Sequence, residues 1–297
     1  MTTRQAAAPV DPACALCGSR ERRTRFREGS HTVVTCERCD LTYVTPRLPG
    51  EELLSAVYDA DYWHSERPRE RGYADYVADR ALHERTFARR WRGIRRHLRG
   101  TGLALDIGCA DGAFLSILRA DGWRVQGVEP SPMASVARER LGADAVLQVP
   151  IESLELPEAH YDLITLWDVI EHLPDPLACL RSVRRLLKDD GVLVVETQDV
   201  HSLAARVLGR RWHHYKHAEH LHHFHLRTLR RALSETGFEI VDRRRGLAGK
   251  HVRGSFVAER AARISPTLSR ALARLLPEHR ALYVNLFDEL IVVARPR

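Results

Sequence analysis

Lysine is almost missing from this chain. Of its 46 basic residues only Lys188, Lys216 and Lys250 are lysine; the rest are arginines scattered along all 297 residues. A net charge of +7 would otherwise invite a nucleic-acid partner. So lopsided a choice reads instead as compositional bias, and nucleic acid is not the expected partner. No run of about 20 apolar residues occurs, which excludes a helical membrane span. The N-terminal stretch has no apolar core of the secretory type, so the expected location is cytoplasmic. Cysteine is scarce as well: there are six, and four of them form two C-x-x-C pairs. In a reducing compartment that pattern favours metal over disulfide.

What is present is organised around residues 103–115. Residues 103–107 are a short apolar run, as expected for a strand covered on both faces. Gly108 and Gly112 then form a turn that lets a ligand approach the backbone. From Ala113 the sequence reads as a helix, with Phe114, Leu115 and Leu118 on one face. Strand, glycine turn and helix at this spacing make a nucleotide-type cofactor site. The G-x-G-x-x-G fingerprint of dinucleotide sites is absent, and no Walker lysine follows the turn, which excludes an ATP-type phosphate cradle. Asp106 and Asp111 flank the turn and would repel a pyrophosphate. A ligand carrying an ammonium and a sulfonium, S-adenosylmethionine, suits it better. Glu129 ends the next strand about 20 residues on, where an acid takes two ribose hydroxyls.

With these residues in place, the segments 105–114, 127–131, 161–176 and 187–193 resemble the class I S-adenosylmethionine-dependent methyltransferases. Ala110 departs from that pattern, where glycine is frequent. The resemblance implies a Rossmann-like, doubly wound α/β sheet of seven strands over residues 101–297. It also implies a cofactor site drawn from Asp106, Gly108, Cys109, Gly112, Glu129, Pro130, Ile151, Glu152, Trp167 and Asp168. Cys109 is expected to act through its backbone and Cys179 to be core.

Ahead of this domain, residues 1–12 read as a disordered tail. Residues 13–48 read as a zinc ribbon, with Cys14 and Cys17 as one knuckle, Cys36 and Cys39 as the other, and a hairpin between them. Four sulfurs close the coordination shell, so the zinc is expected to be structural, and the ribbon to have a core of its own. Residues 49–100 form a helical linker or lid: a short helix at 51–58 with Leu53, Leu54 and Val57 on one face, then Tyr58, Tyr62, Trp63, Tyr73 and Tyr76, then a helix at 81–98 with Phe87, Trp91, Ile94 and Leu98 as an apolar stripe. The aromatics suit either a lid or domain packing, with packing the readier reading. The N-terminal run is similar to the extension of a group of bacterial biosynthetic methyltransferases.

Within the main domain, alternating segments predict strands at 124–129, 145–149, 161–167, 192–196, 238–244 and 283–294, the last antiparallel. Asp175 and Pro176 predict a capped helix start at 177. Residues 200–228 and 249–282 are expected as substrate-side insertions. Within the first, residues 212–225 hold seven of the sixteen histidines, at spacings that fit no compact zinc pattern.

Methyl transfer needs alignment, exclusion of water and, for an oxygen or nitrogen acceptor, a base. His172 follows the fourth strand and is the first candidate, with Glu171 to orient it; the competing reading is that it only bonds the backbone. His220 and His217 are the second choices. The expected activity is methyl transfer to a small molecule such as a sugar nucleotide, a polysaccharide unit or a secondary metabolite. The alternative is an RNA methyltransferase whose ribbon grips phosphate, although residues 167–172 lack an N/D-P-P-Y-type base-gripping sequence. A non-catalytic binding module is disfavoured by the intact Asp106, Gly108, Gly112 and Glu129.

Overall fold

Two sheets share one hydrophobic core in the computed structural model, which describes residues 8–49, 52–53, 60–63, 65, 76–262, 264–276 and 281–297. Of the expected tail at 1–12, residues 1–7 lie outside these residues, as do most of the short helix at 51–58 with Leu54, Val57 and Tyr58, and Tyr73; residues 8–12 correct the expectation, since Val10 bridges to Arg47 and Asp11 pairs with Arg22. Among the described residues no helix is long and apolar enough to cross a membrane.

The chain opens with β1 (Arg22–Glu28), β2 (His31–Cys36) and β3 (Thr42–Thr45), an antiparallel meander. The linker contributes α1 (Ala60–Trp63) and α2 (Arg80–Ile94). Then follow β4 (Leu103–Ile107), α3 (Ala113–Ala120), β5 (Arg124–Val128), α4 (Met133–Leu141), β6 (Val146–Leu147), β7 (Tyr161–Trp167), α5 (Pro176–Leu186) and β8 (Leu187–Gln198). The remainder is α6 (Leu203–Leu208), β9 (His222–His223), α7 (Leu226–Glu235), β10 (Phe238–Arg243), β11 (Lys250–Arg253), α8 (Gly254–Ala261), α9 (Pro266–Leu275), β12 (Ala281–Val284) and β13 (Glu289–Pro296).

The large sheet runs β10-β13-β8-β7-β4-β5-β6. Its strands from β8 through β6 are parallel, and β13 inserts antiparallel between β8 and β10. The chain runs outward from β4 through β5 to β6 and then crosses back to β7 on the other side of β4, so a crevice opens at the carboxyl ends of these strands. Buried strands and one-faced helices explain the layering. All but the first residue of β4 are buried. In α5, Cys179, Leu180, Val183 and Leu186 recur at helical spacing and are buried, each larger aliphatic contributing about 1.5–3 kcal/mol. The Asp175 carboxylate accepts from the Ala178 N–H at 2.8 Å, the cap expected from sequence.

Three element expectations need correction. The final strand splits, because a turn at Asn285–Asp288, with Phe287 in the left-handed region at φ 56°, separates β12 from β13. The strand at 145–149 shrinks to the two residues of β6. The strand expected at 192–196 is longer at both ends: β8 starts at Leu187, passes through Gly191 with a register shift against β7 and runs to Gln198.

The N-terminal meander is not a separate body. β9, from the histidine-rich insertion, pairs antiparallel with β3, placing Thr42 opposite His223 and Tyr43 opposite His222. Cys14, Leu16, Val34, Leu41 and Tyr43 share one apolar cluster with Phe224, Leu229 and the strands of the large sheet. Val33 and Val44 join Trp212 and Tyr215 in a second. The expectation of an independent ribbon core is therefore corrected: the small unit buries its inner face against the insertion. Tyr62, Trp63 and Tyr76 pack with Leu53, Met133 and Leu221, with Ala110 at the edge. The aromatics thus pack, and what they cover is the glycine turn.

Candidate active site

The turn after β4 adopts the backbone that its glycines permit. Gly108 and Gly112 have φ of 72° and 74°, and a Cβ on either would lie 2.6 Å from Val169 or 2.7 Å from Leu141. Ala110 stands between them at φ 48°, a left-handed conformation that costs an L side chain about 1–2 kcal/mol. Ala110→Gly is therefore expected to stabilise the chain by up to about 1 kcal/mol, after the added flexibility of its unfolded state is offset. Urea denaturation tests this; a loss of stability would mean that the Ala110 methyl matters more as packing than as strain.

Glu129 is buried beside this turn. Its two carboxylate oxygens accept from the Ala110 and Ser131 N–H groups, both at 2.9 Å, which ties the turn to the loop after β5. Burial raises its pKa, against the pull of these hydrogen bonds. Asp106, at the end of β4, accepts from the Thr165 hydroxyl at 2.5 Å, and burial pushes its carboxyl up to about 8. Asp111 is fully buried between Arg80 and Arg140, each 3.2 Å from Oδ2, and its Oδ1 accepts from the Ala113 N–H. The charge expected at the turn is thus modified: Asp111 is paired with two arginines, and burial raises the pKa of Asp106.

The other residues expected around the cofactor fall at the same carboxyl edge. Cys109 is buried with its sulfur against Gly127, where a Cβ would lie 2.6 Å away. Pro130 separates Glu129 from Ser131. Ile151 is buried and Glu152 exposed on the single turn after β6. Trp167 packs edge-on against Phe114 and Phe87. Asp168 has φ 53°, and its carboxylate takes the Lys250 ammonium at 2.8 Å. Burial raises that carboxyl, but the Lys250 and Arg90 charges outweigh it and hold it below the usual range.

Beyond Asp168 lies a buried polar network that the sequence reading did not identify. Lys250 also reaches Glu289 at 2.7 Å, and Arg90 pairs with Glu196 at 2.6 Å while lying over the Trp167 and Phe87 rings. One signal was available, since Lys250 is among only three lysines. Arg90 is hidden in an arginine-rich helix and had none.

Glu171, His172 and His220 converge, with one ligand-type atom of each within 4.8 Å of the others. The two rings meet edge-to-face, with centroids 4.7 Å apart. His220 Nδ1 donates to the His214 carbonyl at 2.7 Å, which leaves Nε2 with the lone pair. His172 bonds the Glu219 carbonyl. Burial lowers the pKa of both imidazoles; for His172 the fields of Glu219 and Asp168 work against this. Glu171 accepts from the Thr197 hydroxyl at 2.9 Å, and burial with the Asp168 charge pushes its carboxyl well up. His217 does not join the group. It lies 3.3 Å from Glu28 at the tip of the β1–β2 hairpin and against the rings of Phe26 and Tyr215.

The four cysteines of the N-terminal unit also converge. Cys14 and Cys39 sulfurs are 3.4 Å apart, Cys17 and Cys36 3.5 Å, and all four lie within 4.8 Å of one another without a disulfide. Metal–sulfur bonds of about 2.3 Å in a tetrahedron need sulfurs somewhat under 4 Å apart, which these approach.

Comparison with known proteins agrees with this geometry. Residues 73–243 match the family model described as a methyltransferase domain. The chain is 33% identical over 130 residues to the ubiquinone biosynthesis O-methyltransferase of Xanthomonas oryzae, covering 38% of this chain and 54% of that protein. Against the protein of that name from Cereibacter sphaeroides it is 30% identical over 115 residues, covering 36% and 47%. The chain thus spans about half the length of the curated relatives it matches. Among solved structures, the Burkholderia thailandensis 1,6-didemethyltoxoflavin-N1-methyltransferase superposes with TM-score 0.50 at 18% identity, covering 93% of this chain and 99% of that one. A SAM-dependent methyltransferase from Archaeoglobus fulgidus gives TM-score 0.50 at 21% identity, covering 79% and 100%. At these identities the likeness is one of fold.

Proposed function

Because this chain belongs to the methyltransferase-domain family, we propose that it transfers the methyl group of S-adenosylmethionine to a small-molecule acceptor. The observation that carries this reading is the buried Glu129 carboxylate held against the amides of a glycine turn at the switch point of a parallel sheet. When bound, the cofactor supplies an already activated methyl group. Gly108 and Gly112 would let it approach the backbone, Glu129 would take the ribose hydroxyls, and Ile151 would line the adenine side. Tyr62, Trp63 and Tyr76, with Leu221, would exclude water. His172, more exposed than His220, would take the acceptor proton, and His220 would support it. Two depressed imidazole pKa values keep both rings neutral, the form a base requires. The relatives that match over part of their length are named as O-methyltransferases acting in ubiquinone biosynthesis, which favours a small acceptor with an ionisable hydroxyl.

The four sulfurs of Cys14, Cys17, Cys36 and Cys39 would hold one structural zinc. For the RNA alternative, the β3 edge of this unit is taken up by β9 and its inner face by the insertion, so any grip on phosphate would fall to the exposed β1 edge.

Calorimetry with S-adenosylmethionine and with S-adenosylhomocysteine tests the cofactor half. Both should bind, and Glu129→Ala should weaken binding by about 1–3 kcal/mol through the lost charged hydrogen bonds. Unchanged affinity in that variant, or binding of NADH in place of either ligand, would overturn the assignment.

A further inference from the structure

We infer that His213, His214 and Asp288 form a second metal site, of nitrogen and oxygen donors, for a divalent first-row transition ion. The donors come from two distant segments. His213 and His214 follow the turn after α6, and Asp288 immediately precedes β13. His213 Nδ1 and His214 Nε2 lie 3.8 and 3.7 Å from the same oxygen, Asp288 Oδ2. His214 Nε2 is also 3.5 Å from Glu289 Oε1. One ligand atom from each of the three residues falls within 4.8 Å of the others.

These separations are too long for direct bonds, since a charge-assisted contact closes to about 2.7–2.9 Å. They suit the edges of a coordination polyhedron: donors about 2.1 Å from a tetrahedral ion stand about 3.4 Å apart. His214 Nε2 supplies an independent observation. Its side chain is nine-tenths buried, and among the described residues this nitrogen has no hydrogen-bond partner while facing two carboxylates. A buried polar atom left so is costly unless something completes it.

The site is also held in shape. Trp212 Nε1 donates to Asp288 Oδ2 at 2.8 Å, and the Asp288 carbonyl accepts from the Asp199 N–H at 2.7 Å. The charges of Lys250 and Arg260 both reach His214, and Lys250 is occupied by Glu289 and Asp168. Two imidazoles with one carboxylate select zinc, cobalt, nickel or iron(II) over the harder magnesium and calcium. His213 keeps a quarter of its side-chain surface open, which gives an ion its entry. The His214 carbonyl is the acceptor for His220 Nδ1, so an ion on the His214 ring would fix the segment that aims His220. That last consequence rests on the function proposed above; the site itself does not.

Cobalt(II) titration of the full chain tests the inference. The four-cysteine site would announce itself by thiolate charge-transfer absorption in the near ultraviolet. The second site should add a further equivalent with visible d–d bands and no such charge transfer. His214→Gln and the milder His213→Ala should each weaken this equivalent by more than the roughly 10–100-fold that losing a mere supporting contact costs a metal site. The cysteine signal should stay unchanged in both. Absence of a nitrogen–oxygen equivalent up to millimolar cobalt would overturn the inference. So would a second equivalent that survives both substitutions, since it would then lie elsewhere. Neither outcome touches S-adenosylmethionine binding, so failure here and failure of the proposed function are separable.

Discussion

His172→Ala is expected to lower turnover by roughly 10²–10⁴-fold while leaving the dissociation constant of S-adenosylmethionine nearly unchanged, the usual effect of losing a general base. The split follows from geometry: His172 packs against His220 and bonds the Glu219 carbonyl, whereas Glu129 and the glycine turn contact each other elsewhere. The sign of the pH dependence also follows. An imidazole accepts a proton only when neutral, and burial lowers the pKa of both His172 and His220. Neutral ring therefore persists below the ordinary histidine pKa of about 6.5, so the acid limb of turnover should lie below that value and vanish in His172→Ala. His220→Ala should also be slow, because it removes the ring that His172 packs on. Wild-type turnover and an unshifted profile in His172→Ala would remove this residue from the chemistry.

Loss of the zinc proposed for the four cysteines is expected to have the largest structural effect. Structural zinc contributes on the order of 10 kcal/mol in small domains, and here its loss would not stay local. β3 pairs with β9, the Val44 N–H donates to the Leu221 carbonyl, and the Leu221 N–H donates to the Glu171 carbonyl, both at 2.9 Å. A ladder of backbone bonds therefore runs from the cysteine knuckles to Glu171 and passes next to His220. Arg47 reinforces it, reaching the Pro174 carbonyl at 3.1 Å and His222 at 3.2 Å. Cys36→Ser, or extraction with a strong chelator, should expose residues 31–45 and 212–224 together to hydrogen exchange and stop turnover. The opposite result, an unfolded N-terminal unit beside a fully protected 212–224 segment, would restore the independent ribbon that the sequence suggested.

That last contrast shows where the sequence was legible. Period, caps and glycine turns are local signals, so β4, the turn, α3 and the Asp175 cap could be read directly, and the knuckle spacing brought four cysteines together correctly. Pairing between distant segments leaves no local trace. Two consecutive histidines carry no sign that they form the strand extending the N-terminal sheet. The pairing of Arg90 with Glu196 spans 106 positions and was likewise invisible. The acidic turn was legible in composition and misleading in charge, because Arg80 and Arg140, which neutralise Asp111, come from other helices.

The central claim is tested most directly by acceptor-dependent release of S-adenosylhomocysteine. The purified chain is incubated with S-adenosylmethionine and, separately, a small-molecule extract or total RNA. The account predicts release with the small-molecule fraction, reduced by Glu129→Ala at limiting S-adenosylmethionine and strongly reduced by His172→Ala, and none above background with RNA. Release with RNA alone, falling steeply with added salt, would contradict it.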